Sequence, residues 1–211
     1  IHSHIKKAIK NHESLLRDNP EIEWDYVVLQ SWRDVSDQPN QAYVRYATKL
    51  AEIAKAQNAE VILYMTSPET QNEDPVVEPY NVASADRDTA VGRRMKEALQ
   101  PKAVIPVPLA IKNIQTGDAN KPGTDLVFRY HNDGHPNQTC AFLVANLFYA
   151  AITGKSPEGF KFNSVTENKL KNGKDPDGGE PTVVFDNKER AYLQRMACEA
   201  VLEFNRGSSD L

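Results

Sequence analysis

Two imidazoles and a carboxylate fall close together at His131, Asp133 and His135, inside the run His131-Asn132-Asp133-Gly134-His135-Pro136-Asn137. Imidazole changes charge near neutrality, and an adjacent carboxylate fixes its tautomer and stabilises its charged form. Asp133 and His135 therefore have the makings of an orienter and a general base. The same residue types also suit a plain turn, with Asp133 and Asn137 as helix caps and Gly134 and Pro136 shaping the chain. A third use is a metal site. His131, Asp133 and His135 alternate and would share one face of an extended segment, with His2 and His4 as distant contributors. Gly134 and Pro136 oppose a regular strand there, and no other His or Cys stands at ligand spacing. The stretch Asp175-Pro176-Asp177-Gly178-Gly179-Glu180 has some features of a calcium loop. It lacks the third acid before glycine and the late bidentate glutamate, and reads as a turn.

A nucleophile is harder to find, because the chain has no Gly-x-Ser-x-Gly elbow and no Gly-Asp-Ser motif. Ser31 is a minor candidate, since it directly follows an apolar strand in the position where α/β folds open their crevices; strand-end serines are equally turn residues. Gln30, at the same strand end, carries an amide suited to a developing oxyanion, or to a hydrogen bond with a neighbouring loop. Trp32 beside it lines a pocket or packs over the sheet edge.

These residues need a scaffold, and the periodicity supplies one. Ile5, Ala8, Ile9 and Leu16 fit a helix that stops at Asp18-Asn19-Pro20. Trp24–Gln30 is a short apolar run without alternation, as expected of a strand covered on both faces. A helical stripe from Tyr43 to Ala54 leads to a second buried strand, Glu60–Met65. Residues 67–86 read as a long loop, followed by a helix over Asp88–Leu99 and a strand over Ala103–Val107 that Pro106 and Pro108 close early. Thr139–Ile152 is a helix apolar nearly all round, expected deep in the fold. Residues from 155 to about 185 form a polar surface excursion rich in Gly, Pro, Asn, Asp and Lys. The last helix starts at Asp186 with Glu189 three residues on, a capping-box pattern, and buries Leu193, Met196, Ala197, Ala200, Val201 and Phe204. Residues 1–211 thus read as one α/β domain whose ligand crevice lies beyond the carboxyl ends of parallel strands.

Composition narrows the function. Twenty-five basic against 29 acidic residues give a net charge of −4, without the basic clusters that nucleic acid requires, so no nucleic-acid partner is expected. No apolar stretch is long enough for a membrane span. Cys140 and Cys198 lie far apart in helical patterns, with no Cys-x-x-Cys, and read as small core residues.

Taken together, Trp24–Gln30 (WDYVVLQ), Asp133–Asn137 running into Ala141–Ala145, then Phe148–Ala151 and Thr153-Gly154, resemble the SGNH (GDSL-like) hydrolase superfamily, and more narrowly its bacterial branch with a strand ending in "DYVVLQ". Leu193-Gln194-Arg195 with Ala197 is similar to that branch's last helix. The resemblance covers roughly residues 1–154 and 186–205. It implies a three-layer α/β/α flavodoxin-like parallel sheet and an esterase that needs neither cofactor nor metal. The implied substrate is a small-molecule or oligosaccharide ester, often an acyl group on a carbohydrate. His135 would be the base and Asp133 its orienter. The family's acid stands three residues before the histidine, where this chain has Asn132, so Asn132 is the alternative orienter. The family's oxyanion asparagine after the strand is missing, and Gln30 takes its place.

The family's nucleophilic serine follows a first strand that this chain does not contain. The resemblance therefore implies a domain lacking its first one or two strands, on the order of 40–60 preceding residues. An upstream segment or another chain would complete the sheet and bring the serine. Such proteins are often exported, which inclines the reading toward a periplasmic or extracellular bacterial protein. Two alternatives remain: a non-catalytic SGNH-like binding or assembly subunit, and a metal-dependent hydrolase using His131, Asp133 and His135.

Overall fold

The structure is a computed structural model describing residues 22–30, 41–66, 82–116, 126–131, 135–167 and 172–207. Three parallel strands, β1 (Tyr26–Gln30), β2 (Glu60–Met65) and β3 (Ala103–Pro106), lie side by side in sequence order. Helix α1 (Gln41–Ala56) crosses from β1 to β2, and α2 (Val82–Leu99) from β2 to β3. Both crossovers step the same way along the sheet, and a constant crossover hand then puts both helices on one face. Core packing agrees. Val61, Leu63 and Val104 join Ala47, Ala51 and Ala54 of α1 and Met95 and Leu99 of α2.

The side chains that alternate with these point the other way, since neighbours along a strand face opposite sides. Ile62 and Ile105 join a second core built with α3 (Val107–Gln115), α4 (Gln138–Thr153) and α5 (Asn187–Arg206). The chain is thus a mixed α/β protein with helices on both faces of a parallel sheet. None of its described helices is long and apolar enough to cross a membrane.

Several elements depart from what the sequence predicts. The run Tyr26–Gln30 forms a strand, but it is covered on one face only. Leu29 is buried, while Tyr26 and Val28 are 45% and 48% exposed. Helices α3 to α5 pack over β2 and β3, and among the described residues nothing covers that face of β1. Helix α2 begins at Val82, inside the expected loop. Helix α3 was not foreseen at all. Pro108, read as closing a strand, sits in the first turn of this helix, where a missing N–H costs nothing. Helix α4 is apolar by composition yet lies at the surface along Ala141 and Ala145. The polar excursion contains a short antiparallel hairpin, β4 (Ser164–Thr166) with β5 (Thr182–Val184). Expectations for residues 1–21, including the first helix, lie outside the described residues.

The start of the last helix behaves as read. The Asp186 carboxylate accepts hydrogen bonds from the N–H groups of Lys188 and Glu189 at 2.7 and 2.8 Å, capping α5. Gly154 closes α4 in the left-handed conformation, at φ 67°. Helix α2 lies close against the sheet at Gly92, where a Cβ would run into the Sδ of Met65 at the end of β2.

Candidate functional site

The site is built from the segment that enters α4. Residues 128–130 and 135–137 run antiparallel as a narrow hairpin. Arg129 bridges Pro136, the Tyr130 N–H donates to the His135 carbonyl at 2.9 Å, and the Asn137 N–H donates to the Phe128 carbonyl at 3.1 Å. Asn137 does most of the fastening. Its Oδ1 accepts from the Cys140 N–H at 3.1 Å, which caps α4, and its Nδ2 donates to the Val127 carbonyl at 2.8 Å. One side chain therefore satisfies the helix end and ties it to the incoming strand. The capping role expected of Asn137 is seen.

His131 and His135 sit at the tip of this hairpin, both exposed. Asn132 and Asp133, the alternative orienters, lie outside the described residues, as do Ser31 and Trp32. Among the described residues no three His, Cys, Asp or Glu side chains converge as a metal site. The His131, Asp133 and His135 set includes a residue outside that description.

The hairpin is related to the sheet through Tyr64. This tyrosine lies one residue before the carboxyl end of β2, and its ring packs on Phe148 of α4 with centroids 5.5 Å apart. Burial raises its phenol to about 12, and Cys140 in the first turn of α4 adds to the rise. Helix α4 thus packs through its third turn on β2, beside the end of the strand where α/β proteins open their crevices. Gln30 is exposed at the same end, paired in register with Tyr64. Tyr64 thus pairs with Gln30 in the sheet and packs on α4, the helix that follows the hairpin.

Sequence reasoning missed what anchors the hairpin. Tyr130 is buried and donates its hydroxyl to Gln138 Oε1 at 2.9 Å, with Glu167 Oε2 at 3.4 Å. Burial holds the Tyr130 phenol well above its ordinary range, and the carboxylates of Glu167, Asp175 and Asp177 push it further, so it stays a proton donor. The buried Gln138 amide in turn donates to the Pro181 carbonyl at 3.0 Å, and the Glu167 N–H donates to the same carbonyl at 2.7 Å. At the tip, the His131 N–H donates to Asp177 Oδ2 at 3.0 Å. The polar excursion is therefore bound to the histidine hairpin at two points. The one signal in sequence was Gln138, a polar residue at the start of an apolar helix.

The Asp175–Glu180 stretch is a turn, as read. Asp175 Oδ1 accepts from the N–H groups of Asp177 and Gly179 at 3.0 and 2.6 Å, and Lys174 pairs with Glu180 at 2.6 Å. Compared with known proteins, the chain matches no family model, no curated protein and no solved structure.

Proposed function

We propose that this protein is a serine hydrolase of the SGNH type that cleaves an ester, with an acyl group on a carbohydrate as the favoured substrate class. The observation that carries the reading is the exposed His135 at the tip of the hairpin leading into α4, a helix packed on β2 at Tyr64, one residue from the strand's carboxyl end. Tyr26 and Val28, bare on β1, support it too, because a flavodoxin-like three-layer sheet continues past that strand.

In this mechanism His135 takes the proton of a serine hydroxyl contributed from outside the described residues, and the oxygen attacks the ester carbonyl. Asp133, or Asn132 in its place, orients the ring. Gln30 and backbone N–H groups hold the oxyanion. Collapse of the tetrahedral intermediate breaks the carbon–oxygen bond to the alcohol, which leaves with the proton from His135. Water then hydrolyses the acyl-enzyme by the same route in reverse.

The test is hydrolysis of a chromogenic acetyl ester by the full-length protein and by His135→Ala. The replacement is expected to lower kcat by about a thousandfold or more. Folding should persist, because the side chain is exposed and the hairpin uses the main-chain carbonyl. Undiminished activity in the variant would remove His135 from the chemistry. A wild-type protein without activity on any acyl ester would favour the non-catalytic binding subunit.

A further inference from the structure

The histidine hairpin is held by more than its own stem and Asn137. Tyr130, of the bonded pair, and His131, next to it, both reach the excursion. Tyr130 gives its N–H to His135 and its hydroxyl to Gln138, whose amide reaches Pro181 at the foot of β5. His131, next along, gives its N–H to the Asp177 carboxylate. The excursion that supplies these acceptors is itself fastened to the helical layer. The Gln194 amide of α5 donates to the Phe160 carbonyl at 3.0 Å, Phe160 packs edge-on to Tyr149 of α4 at 4.7 Å, and Phe185 lies 4.5 Å from Phe142. Asp177 is carried on a turn closed around the Asp175 carboxylate, so it is presented at a fixed place.

We propose that the excursion, through its residues 155–167 and 172–185, is a positioning element for His135, with Gln138 and Asp177 as the two latches that fix the hairpin bearing the imidazole. The inference rests on the hydrolase reading above. In that mechanism the ring must meet a hydroxyl delivered by another part of the protein. The place of the ring follows the place of the hairpin that carries it, and displacement of a reacting group by about 1 Å costs up to about a hundredfold in rate. Asp177 acts through an oxygen that accepts from a main-chain N–H, a role an amide oxygen also fills, with a weaker bond.

The experiment compares Asp177→Ala, Asp177→Asn and Gln138→Leu with the wild-type full-length protein in acetyl-ester hydrolysis. Asp177→Ala and Gln138→Leu are each expected to lower kcat about tenfold with KM within about twofold, because placement and not substrate binding is lost. Asp177→Asn keeps an acceptor oxygen and is expected to restore kcat to within about twofold. Asp177 is exposed, so its two variants decide the matter even if Gln138→Leu fails to fold. Equal loss in Asp177→Asn and Asp177→Ala would overturn the latch, as would full kcat in Asp177→Ala. A wild-type protein without esterase activity removes the hydrolase reading itself, whereas activity that the variants retain removes only the positioning role.

Discussion

The two ends of the sheet are made of similar residues and have opposite surroundings. Strand β3 reads Ala-Val-Ile-Pro and is buried at every position. Strand β1 reads Tyr-Val-Val-Leu-Gln, is at least as rich in β-branched and aromatic residues, and leaves Tyr26 and Val28 at the surface. An apolar run expresses a capacity to be covered; the neighbours decide whether it is. At β3 the cover comes from α3, α4 and α5 on one face and α2 on the other. At β1 only the α1 face is closed among the described residues.

Alkali probes the core under α4, where Cys140 is buried and Tyr64 partly so. Burial pushes the Cys140 thiol from an ordinary 9.0 up to about 12, and Tyr64 from 10.0 to about 12. The native chain keeps protons there that the unfolded chain releases first. These groups' contribution is therefore whole below about pH 9, and falls as pH rises through 9 and 10 toward about 12. Denaturant midpoints measured from pH 8 upward should drop over that range, and Cys140→Ala should delay the onset. A flat profile would mean that the thiol is not enclosed.

Phe142→Ala at the closed end should cost about 3–5 kcal/mol in chemical denaturation, since the ring is fully buried against Phe185. A loss below about 1 kcal/mol would put that core on a par with the surface. Between the extremes, Asn137→Ala should cost about 1–2 kcal/mol by removing both the cap of α4 and the bond to Val127. Its thermal midpoint reads this directly. Val28→Thr at the open end should stay within about 0.5 kcal/mol. A penalty of core size there would break the comparison, by showing that the face of β1 is covered after all.

Much of this scaffold was legible in one dimension. Strands β1 to β3, α1, α4 and the Asp186 cap follow from runs of apolar residues with a period and from residues with fixed local habits. Pro108 misled because proline ends strands and starts helices with equal ease, and only the register of Leu109, Ile111 and Ile114 against the core separates the two. The β4–β5 hairpin was invisible, as three residues per strand carry no period. Of the proposed site, His135 and Gln30 are candidates by residue type and place in the sequence. The Gln138–Pro181 and His131–Asp177 contacts could not, since each joins residues more than forty positions apart and nothing local marks either partner.

The close seat of α2 on β2 has a consequence for how this sequence can vary. Gly92 leaves only a hydrogen's width for the Met65 sulfur. An alanine at 92 would need a shorter or re-routed side chain at 65, and a bulkier one at 65 would lever the helix away. The two positions are therefore coupled, and Gly92→Ala combined with a shorter residue at 65 should lose less stability than the two single replacements summed.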